Sequence, residues 1–497
     1  MTATPPLWEL GLERARYPRL EEDDRYFDVA VVGAGITGVT AATLLKAAGK
    51  RVVLLEARHV ASGVTGGTTA HLTAALDTRY HELESKFGRT GAALAAESSL
   101  EAIELVATLA ASAPERADFE WLPGYLYTES DEDVDGLKKE LEAARRAGLT
   151  VEHSEVPLPL VAKAGIRFER QAQFHPLTYV NALTAALPGG GCNVHEQSRV
   201  IALDEGEPCK LYLEHGVMVN AEHVILATHT PLNRVLLETK IAQYRSYVVS
   251  GPVEQAPHGL FWDTADPYHY VRSQRVGDRR HLIVGGDDHK TGKADDERGS
   301  YASLESYAAR LGLRSVECRW SAQVVEPVDG LPFIGRNALS SRVYVATGFS
   351  GNGTTFGTLA ARILSDACLG QPNRFAELYA ATRVKPLASL ATFLGENVDF
   401  PMHLLSDRLH PPDAKSLDEI GPGEGKTVRL NGERLAVFRD VTGQLSACSA
   451  VCTHLGCHVK FNQAEKTWDC PCHGSRFSRD GEVLDGPAVR GLPRRHV

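Results

Sequence analysis

Apolar residues change their rhythm several times along this chain. Phe27-Asp28-Val29-Ala30-Val31-Val32 is a short β-branched run, followed by an Ala- and Leu-rich segment from Val39 to Ala48 and a second run from Arg51 to Leu55. Short continuous apolar runs of this kind make buried parallel strands, and the segment between them reads as a helix with Gly49 as C-cap. Leu94, Leu100, Ile103, Leu105 and Leu109 fall at helical spacing between Gly91 and Ala113. Phe119 to Tyr127 reads as a strand, Asp131 to Ala147 as a charged helix, and Gln173 to Leu187 as a helix with Pro176 near its start. From Ile241 to Gly286 the pattern turns to strands, at Tyr247-Val248-Val249, Tyr268 to Arg272 and Leu282 to Gly286. Val343 to Thr347 predicts another strand and Thr358 to Leu369 a helix. Pro386 to Pro422 is proline-bearing, mixed in charge and weakly periodic, and is expected to be a linker ending near Ser416. Beyond it, Thr427 to Leu430, Arg434 to Arg439 and Gln444 to Ser446 read as short strands split by Asn431-Gly432 and Thr442-Gly443 turns.

The first strand runs directly into Gly33-Ala34-Gly35-Ile36-Thr37-Gly38, and the second ends on Glu56, 23 positions after Gly33. A G-x-G-x-x-G alone is weak. Between a strand and a helix, with an acidic residue at that distance, it is a dinucleotide-binding fingerprint. Gly33 allows the tight turn, Gly35 lets a pyrophosphate approach the backbone, and Gly38 permits close helix–strand packing. The helix N-terminus then faces the phosphates, and Glu56 is placed for ribose hydroxyls. The competing explanation is a glycine-rich turn without a ligand.

Charge and composition narrow the partners. The chain has 497 residues, about three domains' worth, with 43% apolar and 23% charged residues. Its formal charge is 53 − 63 = −10, and without a basic run it is not expected to bind nucleic acid. No apolar run reaches the roughly 18 residues of a membrane span. The N-terminus lacks the apolar core and cleavage site of a signal peptide, so a cytoplasmic location is the default expectation.

Five of the nine cysteines lie between Cys448 and Cys472. Cys192, Cys209, Cys318 and Cys368 are scattered and read as reduced, buried residues. Cys448 also reads as structural. Within Cys452 to Phe477 stand two mixed pairs, Cys452-x-His454 and Cys470-x-x-His473. Two Cys and two His can hold zinc, but structural zinc sites usually pair like with like. One thiolate and one imidazole per half-site is the ligand set of a Rieske 2Fe–2S centre, two Cys on one iron and two His on the other.

This stretch resembles the Rieske family. The resemblance implies a disulfide between Cys457 and Cys472 tying the two cluster loops together, although a disulfide is unusual in the cytosol. It also implies a Ser475 hydroxyl bonded to a cluster sulfur and a covering loop at Gly486-Pro487. High-potential members commonly carry Tyr where this chain has Phe477. The loss of that hydrogen bond predicts a lower potential within the span of roughly −150 to +300 mV open to Rieske centres. The chain stops at Val497, where the family usually continues into a closing strand, so either a trimmed module or a truncated chain is expected.

The longer N-terminal part resembles the D-amino-acid oxidase-like flavoprotein superfamily. The resemblance rests on Gly33 to Glu56, on Ala61-Ser62-Gly63-Val64-Thr65-Gly66-Gly67-Thr68-Thr69-Ala70-His71, on Asp329-Gly330-Leu331-Pro332-Phe333-Ile334-Gly335, and on the glycine-rich run Gly348 to Gly357. It implies FAD as cofactor. Ser62, Gly63, Thr68, Thr69 and His71 would wrap the pyrophosphate and flavin, the Val200 backbone would meet the adenine, and Gly348, Gly353 and Thr354 would open a helix toward the flavin's pyrimidine end. His71 stands where related dehydrogenases bond a His to the flavin, so it is either a covalent attachment point or a pocket-lining residue. Tyr244, Arg245, Tyr247, Tyr268, Tyr270 and Arg272 are the candidate substrate contacts. Strand alternation places Tyr268, Tyr270 and Arg272 on one face; Tyr270, Arg272 and Tyr247 are the candidates for the reaction itself. Arg272 reads equally as a clamp for a substrate carboxylate or as a surface charge.

The expected architecture is an α/β flavoprotein, a Rossmann-like FAD domain with a mixed antiparallel-sheet substrate domain, followed by a small all-β Rieske domain. The expected boundaries are an extension 1–26, the flavoprotein 27–385, a linker 386–415 and the Rieske domain 416–497. Within the flavoprotein, about 27–75, 150–235 and 325–385 are assigned to FAD, and 76–149 and 236–324 to substrate. The implied activity is oxidation of a C–N bond in an amine or amino acid, with electrons leaving through the cluster to an external protein or quinone. The alternative is an electron-transfer component that feeds a partner enzyme; against it, no second G-x-G-x-x-G is present for a nicotinamide nucleotide.

Overall fold

The computed structural model describes residues 3–23, 25–232, 235–293, 296–384 and 411–497. Most of the expected linker, with Pro386 and Pro401, lies outside them. The β-branched runs near the N-terminus form a parallel sheet as their composition requires. Arg25–Val32 pairs on one side with Val52–Leu55 and on the other with Met218–Leu226. Asn193–His195 and Val343–Thr347 extend the sheet in parallel, and Phe333–Arg336 closes one edge antiparallel. Helix Ile36–Ala47 covers one face together with Gly353–Cys368. The second helix begins five residues before its expected start, because Gly353 to Gly357 is already helical.

A nine-stranded, mainly antiparallel sheet stands beside the first. Its long strand Ile241–Val253 lies second from one edge, between the edge strand Cys318–Pro327 and Arg279–Lys290. His269–Val276 follows, then Leu260–Asp263 and Glu120–Thr128. Val151–His153 and Ala164–Gln173, which lie in the stretch expected to serve FAD, join this sheet through pairing with Glu120–Thr128. The long helix Tyr80–Ala110 starts earlier than its apolar spacing indicates and departs from helical geometry at Gly88, φ 73°.

Two four-stranded sheets make the C-terminal module. Asp413 and Ala414 are already part of it, through hydrogen bonds to Thr427 and a bridge to Val428, so its fold begins before Ser416. Arg494–Arg495 pairs antiparallel with Cys448 and Ala447. The fully buried side chains Trp468 and Phe477 sit in the core beside the two cluster loops.

The expected extension is not a free tail. Trp8 is fully buried, and its indole donates to the Thr68 carbonyl at 2.6 Å. Thr4 donates its backbone N–H to Arg319 O, and Ala3 does so to Ala464 O in the C-terminal module.

Candidate functional site: a cofactor cleft walled by the cluster module

The parallel strands of the first sheet end beneath a cavity of about 270 Å³. Gly33, at φ 101°, turns the chain there, and a Cβ on it would lie 2.5 Å from Ala227 O. A Cβ on Gly38 would lie 1.9 Å from Gly33 O. Neither position tolerates a side chain, so the turn keeps backbone N–H groups bare at a helix N-terminus. Glu56 steadies the turn by accepting from Ala34 N at 2.9 Å and Arg58 N at 2.8 Å. These features fit a pyrophosphate-bearing dinucleotide.

Of the expected cofactor residues, Gly33, Gly35, Glu56, Gly63, Thr68, Thr69, His71, Val200, Gly353 and Thr354 line the cavity. Gly38, Ser62 and Gly348 are not among its lining residues. His71 belongs to the wall. Its Nδ1 lies 3.0 Å from Thr69 Oγ1 and its Nε2 3.4 Å from Val271 O, so both ring nitrogens have protein partners. Burial pushes its pKa down to about 3, with Arg272 adding to the effect, which keeps the ring neutral. Trp262 and Tyr270 pack against it at 5.5 and 5.8 Å between ring centres.

The three candidates for the reaction are separated. Tyr270 lines the cavity and shares a 2.7 Å hydrogen bond with Ser246. Tyr247 faces away from it, bonded to His289 at 2.9 Å and packed edge-on against Tyr301. Arg272 is fully buried and committed elsewhere: Nη1 donates to the carbonyls of Thr69 and Ala70 at 2.9 Å, and Nη2 to Gln274. It props up the loop carrying His71 and is neither a surface charge nor a clamp open to a ligand. Sequence alternation gives the side of a strand and cannot show which groups have already claimed a guanidinium.

In the C-terminal module the ligand pattern comes together. Cys457 and Cys472 are joined, linking the two loops. Cys470 lies near those two sulfurs, but a disulfide offers no thiolate, and Cys452 and Cys470 keep free, buried thiols on the two loops. The rings of His454 and His473 stand 5.1 Å apart. Ser475 Oγ accepts from Ala488 N at 3.0 Å. Two thiols and two imidazoles on adjoining loops fit a 2Fe–2S cluster with mixed ligation.

How the two sites face each other is the feature the sequence does not disclose. Val483, Leu484, Asp485, Gly486, Ala488 and Val489, including part of the expected covering loop, form part of the cofactor cavity's own wall. Gly474, next to His473, accepts from Gln323 Nε2 at 2.9 Å. His454 Nε2 meets the buried carboxylate of Glu238 at 3.2 Å. Arg245, another expected substrate contact, bridges the modules: it reaches Glu465 at 3.3 Å and Asp485 at 3.2 Å, and Arg476 pairs with both from the other side. Burial alone would raise the carboxyl pKa values, but the two arginines outweigh it and hold Glu465 and Asp485 down to about 2. The pairs 245–465 and 245–485 are over 200 positions apart, beyond any local pattern.

Comparison with known proteins matches this geometry. The family described as FAD dependent oxidoreductase matches residues 28–367, and the Rieske [2Fe-2S] domain matches residues 411–495. The Bacillus subtilis (strain 168) protein YhfW, described as a Rieske 2Fe-2S iron-sulfur protein, is 34% identical over 493 residues, 98% of this chain and 96% of that protein. Glycine oxidase from Geobacillus kaustophilus superposes with a TM-score of 0.63 at 19% identity, over 72% of this chain and 99% of its own. L-proline dehydrogenase from P. horikoshii does so at 0.60 and 17% identity, over 72% and 98%. At those identities the two structures attest the fold alone.

Proposed function

We infer the function from one premise: the chain belongs to the FAD-dependent oxidoreductase family and carries a Rieske domain at its C-terminal end. It is an oxidoreductase that binds FAD and a 2Fe–2S cluster. Its proposed reaction is oxidation of a C–N bond in an amine or amino acid, with the electrons leaving through the cluster to an external acceptor, a protein or a quinone. Bound FAD supplies the hydride acceptor for the carbon beside the nitrogen, and water hydrolyses the resulting imine to a carbonyl compound and an amine.

The chain's own residues prepare that event. Trp262, Tyr270 and neutral His71 pack together as a wall of aromatic rings against which a substrate carbon can be oriented. The start of helix Gly353–Cys368 aims its unpaired N–H groups at the same end, favouring negative charge there. One observation carries the reading of the electron route: the cluster module's loop is a wall of the cofactor cavity. A cluster serving an unrelated partner would have no need of that position.

An anaerobic screen tests the proposal. Amines or amino acids are expected to bleach the flavin, with the reduced cluster then visible by EPR. Bleaching by NADH and by no amine would instead support the electron-transfer component.

A further inference from the structure

One contact between the two modules falls on an imidazole expected to ligate the cluster. Glu238 closes the short helical turn Val235–Glu238, just ahead of strand Ile241–Val253, and its Oε2 lies 3.2 Å from His454 Nε2. Both side chains are sealed in, 4% and 9% exposed. An imidazole binds a metal through one ring nitrogen, so with Nε2 facing the carboxylate, Nδ1 is the nitrogen left for iron. The same carboxylate acts electrostatically on His473, whose ring stands 5.1 Å from that of His454.

Docking alone does not account for this carboxylate. The junction is already fastened by Arg245 and Arg476 against Glu465 and Asp485, two positive charges against two negative. Among the described residues no lysine or arginine pairs with Glu238; Lys240, two positions on, gives its ammonium to the Arg383 carbonyl at 2.9 Å. Glu238 Oε1 is buried without a hydrogen-bond partner. A carboxylate buried with one oxygen unmet is costly, which makes it a poor clamp. Its charge is left facing the imidazole of His454.

A charge in that place acts on the redox centre in one direction. Reducing a 2Fe–2S cluster adds an electron, and a fixed negative charge beside its ligand, in a buried setting, opposes that. A ligand imidazole whose second nitrogen faces a carboxylate is also held in one orientation and donates more strongly to its metal, which favours the oxidised state. We propose that Glu238 is a positioning residue that sets the cluster's reduction potential, holding it below the value the ligand loops alone would give. The inference rests on the cluster and holds whatever compound reduces the flavin.

The test is a redox titration of the full chain loaded with FAD and cluster, with mediator dyes setting the potential and EPR reading the reduced cluster. Glu238→Gln is expected to raise the cluster midpoint, making reduction at least ten-fold more favourable, about 59 mV for one electron. Glu238→Asp keeps the charge, draws it back by one methylene, and is expected to give a smaller rise. The flavin midpoint is the internal standard, since Glu238 does not line the cofactor cavity. Arg245→Ala weakens the junction without removing this carboxylate, and is expected to move the cluster midpoint far less than Glu238→Gln does. An unchanged or lowered midpoint in Glu238→Gln, or an equal rise in Arg245→Ala, would overturn the proposal. Should Glu238→Gln lose its cluster, Glu238→Asp decides alone: a raised midpoint supports the proposal and an unchanged one overturns it.

Discussion

Single residues decide whether the cleft holds its cofactor. Gly38 has no room for even a methyl group, since a Cβ would sit 1.9 Å from the Gly33 carbonyl oxygen. Gly38→Ala is therefore expected to fold with most of its flavin missing, measured as the ratio of visible to ultraviolet absorbance. His71 has both ring nitrogens engaged by Thr69 and Val271, so acid precipitation is expected to release free FAD into the supernatant; yellow colour held in the pellet would show a covalent bond. These positions also show what the sequence makes legible. Gly33, Gly35 and Glu56, which line the cavity, and Cys452, His454, Cys470 and His473, which gather in the C-terminal module, stand out in the sequence because their patterns are local: turn and helix start, or Cys and His, lie within a few residues of one another. Arg272 and Tyr247 could not. What they do depends on Thr69, Ala70 and His289, which come from other strands and loops.

Whole elements follow the same division. Strands announced by β-branched runs form where expected, since burial on both faces leaves such residues no other good environment. Which sheet Val151 to Gln173 joins is less legible: it is decided by pairing with Glu120–Thr128, and period-two patterning does not name a partner. Leu7 to Glu9 is a single 3₁₀ turn, too short for any periodicity, yet its Trp8 pins the Thr68 carbonyl and lies under Arg272 at 5.3 Å. Trp8→Ala is expected to cost about 3–5 kcal/mol of stability and to loosen FAD, checked by denaturant melts with and without added FAD.

At the scale of the whole molecule, the buried cluster of Arg245, Glu465, Arg476 and Asp485 fastens the Rieske module to the flavoprotein. The folded pKa values of Glu465 and Asp485, about 2, lie below their ordinary values of 4.5 and 3.8. Groups lowered in this way contribute stability that is fully present above the ordinary carboxylate range and is lost as pH falls toward 2. Acid is thus expected to weaken the junction between about pH 4.5 and pH 2, seen as earlier proteolysis between the modules, with little change from pH 6 to 8 from these two groups. Arg245→Ala removes one partner and leaves buried carboxylates undercompensated, a change that typically costs about 3–5 kcal/mol. It is expected to slow electron arrival at the cluster while leaving reduction of the flavin by substrate nearly unchanged. The sequence reading identified both modules; their mutual seating was out of reach because the groups that fix it are far apart along the chain.

The central claim is that flavin and cluster form one intramolecular redox unit. The direct measurement is anaerobic rapid mixing of the fully loaded protein with a reducing amine, following flavin absorbance and the cluster's EPR signal together at several protein concentrations. The account predicts that the cluster is reduced after the flavin, with a first-order rate independent of protein concentration. A cluster that stays oxidised while the flavin bleaches, or one whose reduction rate rises in proportion to protein concentration, would contradict it.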